Sequence, residues 1–121
     1  MGPDKEAVER AGGDLVCRFA GDIAVVRIRG RLDLDLARAF LEFLEKDLRE
    51  KPSRIVLSCE EVEYVSSAGV SLLIRLSSEH RLRIAAPRKE ILGILDTVGI
   101  RSLLSIHETE EAAVQAFVSE P

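Results

Sequence analysis

From Leu15 to Phe19 every second residue is apolar, with Leu15, Cys17 and Phe19 on one side, the period of a strand with one buried face. Gly21-Asp22 supplies a turn into a second apolar run, Ile23 to Arg29, so the two runs predict a β-hairpin. Gly30-Arg31-Leu32-Asp33 closes the second strand, and beyond it the period changes. Leu36, Phe40, Leu44 and Leu48 recur every fourth residue, the stripe of a helix that Asp33 or Asp35 caps and that Lys51-Pro52 stops near Glu50.

Arg54 to Cys59, built around Ile55-Val56-Leu57, has the β-branched character of a strand buried in a sheet. Glu60-Glu61-Val62-Glu63 then reads as a solvated loop leading to two serines. Val70, Leu73, Ile74 and Ser77 have helical spacing and predict a second helix from Ser67 to about His80, with Ala68 and Ser71 small enough for close packing at its start. Leu82 to Ala85 is a short strand. Pro87 suits the first turn of a third helix with Ile91, Leu92, Leu95 and Val98 on its apolar face and Gly99 as its stop. Leu103 to Ile106 reads as a last strand, and Thr109 caps a helix over Glu110 to Val118 whose first-turn acids suit the helix dipole.

The order β-β-α-β-α-β-α-β-α predicts an α/β fold: one domain over residues 14–118, a mixed, mostly parallel sheet of about five strands packed with four helices. Residues 1–13, charged and ending in Gly12-Gly13, are expected to form a flexible N-terminal segment. With 121 residues, 46% hydrophobic and 31% charged, the composition is that of an ordinary globular domain, with no apolar run long enough to cross a bilayer. The N-terminus lacks the apolar core of a signal peptide, so a cytoplasmic location is expected and no membrane partner. A formal charge of −4 argues against nucleic acid as a partner.

Cys17 and Cys59 each lie in a strand-like apolar run without a Cys-x-x-Cys pair, and read as small buried thiols. His80 and His107 are isolated, flanked by charged residues and without ligand spacing; they read as surface residues, and neither metal nor cofactor is expected. There is no Gly-x-Ser-x-Gly elbow, no phosphate-binding Gly-Lys loop and no dinucleotide fingerprint, so the chain is read as no enzyme. Arg27, Arg29 and Arg31 alternate on one strand face, either as a docking surface for anions or as a solvated face. Glu60, Glu61 and Glu63 are candidates for steering a basic partner, and Asp96 is expected to be exposed.

The chemistry concentrates in Tyr64-Val65-Ser66-Ser67-Ala68-Gly69-Val70, at the junction of strand and helix. A hydroxyl there sits beside unpaired backbone N–H groups and the positive end of a helix dipole, where a phosphate is electrostatically favoured. The purely structural reading makes Ser66 the helix cap, Ser67 a first-turn residue and Gly69 a point of close backbone approach.

The Gly-x-Leu-Asp turn at Gly30 to Asp33, the Tyr-Val-Ser-Ser-Ala-Gly junction, the Pro-Arg-Lys-Glu-Ile-Leu helix start and its Val98-Gly99-Ile100 exit, in this element order, resemble the STAS domain family, and most closely its bacterial anti-sigma factor antagonists. The likeness covers roughly residues 14 to 118. It implies a protein that binds an anti-sigma factor which is also a serine kinase, thereby releasing a sigma factor, and that is inactivated when the kinase phosphorylates a serine at the start of the second helix. The family's usual motif is Asp-Ser-[Ser/Thr]-Gly. With its glycine at Gly69, the phosphoacceptor falls on Ser67, Ala68 takes the Ser/Thr position and Ser66 replaces the aspartate. Asp33 matches the aspartate of the family's Gly-x-Leu-Asp turn, so the implied partner-binding residues are Asp33, Ser66, Ser67 and Gly69. A phosphatase is a candidate further partner, and the expected state is a monomer or weak dimer. The alternative is a STAS-type sensor of a nucleotide or small anion, or a scaffold module, with the serines serving as caps.

Overall fold

A computed structural model describes residues 8–10, 14–47 and 52–120. Six strands form one sheet in sequence order: β1 (Val8–Arg10), β2 (Leu15–Ala20), β3 (Ile23–Leu32), β4 (Arg54–Val65), β5 (Arg81–Ala85) and β6 (Ser105–His107). The first three pair antiparallel, and β3 to β6 pair parallel. Each parallel step is bridged by a helix: α1 (Leu34–Glu42), α2 (Ser67–Glu79) and α3 (Lys89–Thr97), while α4 (Glu110–Val118) closes the described chain. The predicted α/β fold with a mixed, mostly parallel sheet and four helices is what forms. The sixth strand is β1, which lies inside the segment expected to be flexible and pairs with β2. Residues 1–7 and 11–13 of that segment lie outside the described residues, as does Leu48 of the first helical stripe.

The two faces of the sheet are covered unequally. Alternate residues of β2 to β5, among them Leu15, Val26, Ile55 and Ile84, pack with α1, α2 and α3 in the main core, around Phe40, Phe43 and Leu76. Each such buried side chain contributes about 1.5–3 kcal/mol. Among the described residues the opposite face is covered by α4, whose Ala113 and Phe117 pack on Ile23, Val25, Val56 and Ala85.

β3 and β4 run three and six residues beyond their predicted ends at Arg29 and Cys59. The buried positions of β4 explain why: Ile55, Leu57 and Cys59 are two apart, but Val62 and Val65 each come three later. Two irregularities, between Arg27/Arg29 and Gly30/Arg31 of β3, insert the extra residues, so Glu60 to Glu63 is strand, not loop. Gly30 has φ +89°, which glycine adopts at no steric cost.

The first helix ends in a wide π-helical turn, Phe43–Asp47, that lets consecutive Phe43 and Leu44 both be buried. α2 is rotated from its predicted face: Gly69, Leu72, Leu73 and Leu76 are buried, and Ile74 is 44% exposed. In α3, Ile91 and Leu95 are buried while Val98 lies outward, and Pro87 precedes the helix. Leu103 belongs to a 3-10 turn, Arg101–Leu103, so the last strand starts at Ser105. Cys17 and Cys59 are buried, and burial pushes the Cys59 thiol up to about 12.

Gly69 sets how closely α2 approaches the sheet. A Cβ there would lie 2.4 Å from the Leu32 carbonyl oxygen, 2.9 Å from Val65 Cγ1 and 3.0 Å from Leu32 Cγ. The contact includes backbone and cannot be relieved by a rotamer change. Ala ordinarily stabilises a helix over Gly by about 1 kcal/mol; here the sign reverses, and Gly69→Ala is expected to cost about 1–3 kcal/mol in urea unfolding, with an unchanged or higher midpoint refuting the close-approach account.

α4 is fastened at its start by Glu110, which accepts from Arg18 at 3.2 Å and from Arg27 at 2.8 Å. Burial pushes the Glu110 carboxyl up, but the hydrogen bonds from Arg27 and Arg18, with the Arg27 charge, outweigh it and hold the group below the usual carboxylate range. A depressed folded pKa gives stability that is present above the unfolded pKa and lost as pH falls through the folded one. Because both arginines are about half exposed, the discounted contribution is about 1 kcal/mol. Glu110→Gln should therefore lower stability by about that amount at pH 7, and the difference from wild type should vanish as the medium is acidified below the ordinary carboxylate range; a difference independent of pH would refute the linkage.

Candidate functional site

Leu32 of β3 and Val65 of β4 are paired in parallel register, so the residues that follow them, Asp33 and Ser66, emerge side by side at the C-terminal edge of the sheet. Both begin helices. Asp33 adopts an extended conformation and its Oδ1 accepts from Leu36 N at 3.1 Å, capping α1. Of the two sequence candidates for that cap, Asp33 fills the role. Ser66 caps α2: its Oγ accepts from Gly69 N at 3.2 Å.

The Ser66 hydroxyl has a second bond, donating to the Leu32 carbonyl at 3.3 Å, and the Ser66 backbone N–H donates to the same oxygen at 3.0 Å. Leu32, Ser66 and Gly69 thus form one joint between the end of β3 and the start of α2. Ser67, the first residue of α2, lies outside the joint and is exposed. No acidic residue stands in the first turn of α2, so the N-terminal end of its dipole is not already neutralised from within the helix.

Three neighbours complete the surface. Leu34, 49% exposed, follows Asp33, and Tyr64, 40% exposed, precedes the Val65-Ser66 pair. The Arg31 guanidinium lies 4.5 Å from the centre of the Tyr64 ring, a cation–π contact that holds both side chains over the edge. Sequence reasoning gave no role to Leu34 or Tyr64. A signal for Leu34 was present: it stands two residues before Leu36, off the four-residue stripe that buries Leu36 and Phe40. Beside Asp33 opens a groove of about 550 Å³ lined by Asp14, Arg29, Gly30, Arg31, Asp33, Asp35, Leu36 and Ala39.

The alternating arginines of β3 do not form a continuous anion-binding row. Arg27 is bound to Glu110, whose hydrogen bond and charge raise the guanidinium's pKa; Arg29 faces Asp14 at 3.9 Å; Arg31 stacks on Tyr64. A second groove, of about 300 Å³, lies over Val16 and Val25 and is rimmed by Arg18, Arg27, Arg29, Asp14, Glu61 and Glu110. Asp96 is exposed and pairs with Arg101 at 2.9 Å. His80 is anchored, its Nδ1–H donating to the Pro52 carbonyl at 2.8 Å. Burial and the Arg83 charge lower the pKa of His107, which accepts from Arg83 at 3.0 Å. Among the described residues there is no group of three His, Cys, Asp or Glu side chains that could hold a metal ion, and no helix long and apolar enough to cross a membrane.

No curated protein sequence matches the chain. Among solved structures it is similar to an anti-sigma factor antagonist from Mycobacterium paratuberculosis, with 18% identity, a TM-score of 0.72, and 84% of this chain and 91% of that one covered. The anti-sigma factor antagonist SpoIIAA in its unphosphorylated form is similar with 17% identity, a TM-score of 0.73, and 88% and 98% covered. The STAS domain of a SulP transporter from Vibrio cholerae shares 17% identity with a TM-score of 0.65, covering 83% and 84%. These likenesses establish the shared fold. The STAS domain model matches residues 14–113, most of the sequence and every element from β2 into α4. The chain belongs to the STAS domain family.

Proposed function

We propose that this chain is an anti-sigma factor antagonist: a non-catalytic binding module that docks through the C-terminal edge of β3 and β4 on an anti-sigma factor serine kinase, releasing a sigma factor, and that is switched off by phosphorylation of Ser67. The observation that carries the reading is the position of Ser67. Its side chain is exposed at the first turn of α2, one residue beyond the edge where β3 and β4 end in register, the edge that also carries Asp33 and the exposed apolar Leu34 and Tyr64. Apolar anchors ringed by charge are what a protein partner needs for affinity, and an exposed hydroxyl among them is open to a kinase.

Phosphorylation would add about −1.5 to −2 charges and three acceptor oxygens. The α2 terminus favours such a charge, so the domain itself need not rearrange, while acidic groups of a docked partner would be repelled. Asp33 and Ser66 act in this scheme by holding the two helix termini in place, and Gly69 by letting α2 approach. The two anti-sigma factor antagonists described above have higher TM-scores than the transporter domain. The transporter likeness supports the alternative, a scaffold or small-anion sensor in which the serines are only caps.

Incubating wild type, Ser67→Ala and Ser67→Asp as baits in lysate of the native cell, with mass spectrometry of the retained proteins and of the baits, separates the readings. Wild type and Ser67→Ala are expected to retain the same kinase-like anti-sigma factor, Ser67→Asp to bind it about tenfold or more weakly, a loss of about 1.4 kcal/mol, and phosphate to appear on wild type alone. Equal retention by all three with no phosphate on Ser67 would overturn the proposal.

A further inference from the structure

At the opposite edge of the sheet, where β4 and β5 begin, three arginines converge on one aromatic ring. Arg54 and Arg81 open the two strands and face each other in register, and Arg83 follows two residues along β5, on the same face as Arg81. Their guanidinium carbons lie 5.8, 6.0 and 4.7 Å from the centre of the Phe117 ring in α4.

Among the described residues, one carboxylate serves two of the three. Glu120 pairs with Arg81 and with Arg83, each at 2.5 Å. Arg54 has no carboxylate partner among the described residues and donates to the Phe117 carbonyl at 3.4 Å. Arg83 also donates to neutral His107, and its buried Nε–H has no partner. Among the described residues the cluster therefore carries an excess of two positive charges. Like charges on directly paired strand positions destabilise a sheet, and Glu120 offsets Arg81 and Arg83 while Arg54 is met by the neutral Phe117 carbonyl. Planar guanidinium forks match the oxygens of a phosphate, and the excess charge matches a phosphate dianion.

We propose that Arg54, Arg81 and Arg83 form a second binding site on this domain, for a phosphate group, in which Glu120 is a tethered stand-in for the anion. β4 spans roughly 35 Å between this edge and Val65 at the serine edge, so the site is independent of Ser67 and stands whether or not Ser67 is phosphorylated. The phosphate is supplied by inorganic phosphate itself or by a small phosphate monoester.

The test is a titration of ¹⁵N-labelled protein with inorganic phosphate at constant ionic strength, and in parallel with glycerol 3-phosphate. Saturable amide shifts are expected at Arg54, Arg81, Arg83, His107 and Phe117 to Glu120. Glu120→Gln, which removes the tethered competitor, should tighten binding by about tenfold, and the double substitution Arg54→Gln/Arg81→Gln should weaken it by at least that factor. Equal responses to the two probes support a site for inorganic phosphate; a tighter response to the ester supports a small phosphorylated metabolite. Shifts centred instead on Ser66 to Gly69, no saturation in the Glu120→Gln protein, or an unchanged affinity in the double variant would each overturn the assignment. Both variants introduce neutral polar side chains, isosteric with glutamate at 120 and shorter than arginine at 54 and 81, and retained dispersion of the amide spectrum reports that each is folded.

Discussion

The Leu32 carbonyl oxygen is the point on which the serine edge depends. It accepts from both the backbone N–H and the hydroxyl of Ser66, and Gly69 presses against it without a side chain. A backbone acceptor at the end of one strand is thus satisfied by the first residues of the helix leaving the next strand, which fixes α2 relative to β3 and sets its N-terminus beside that of α1. Ser66 has to be a donor and an acceptor at once. An aspartate at this position caps α2 equally well but, when ionised, has no proton to give Leu32. Serine here is therefore bonded differently from the family's usual aspartate, and that difference extends to β3.

What the sequence disclosed follows the strength of each periodic signal. The hairpin of β2 and β3, the caps at Thr109 and Ser66, and the burial of Leu36 and Phe40 were legible because local alternation and capping chemistry agree with the tertiary environment. β4 was truncated because its core residues change from steps of two to steps of three, a pattern set by irregular pairing with β3 and invisible without the partner strand. α2 was turned the wrong way because Ile74 and Leu76 offer competing apolar stripes. The choice is made by the small Gly69, which demands the inward face and carries Leu72, Leu73 and Leu76 with it.

The site was legible in part for the same reason. Asp33, Ser66 and Gly69 advertise themselves through capping and backbone requirements. Leu34 and Tyr64 come to the same edge only because β3 and β4 end in register, a long-range fact that single-sequence periodicity does not contain. The arginine cluster was hidden more completely: Arg54, Arg81 and Arg83 are spread over two strands, and the ring that gathers them, Phe117, comes from a helix on the other end of the sequence.

The two edges use charge in opposite ways, and the difference comes from how α4 is held. With only Ala113 and Phe117 buried beneath it, α4 has little apolar area to anchor it, and ionic groups fasten both ends: Glu110 with Arg18 and Arg27, Glu120 with Arg81 and Arg83. At the Glu110 end two arginines share one carboxylate beside Asp14 and Glu61, so charge there is nearly balanced and serves attachment. At the Glu120 end the third arginine, Arg54, has no carboxylate partner among the described residues. The serine edge has neither arrangement: its helix dipole is open and its surface residues are mixed in sign, Asp33 and Asp35 against Arg31. A phosphate on Ser67 would therefore be tolerated by the domain while changing the sign balance that a partner meets, whereas the same charge delivered to the Arg54 edge would complete a site already short of it.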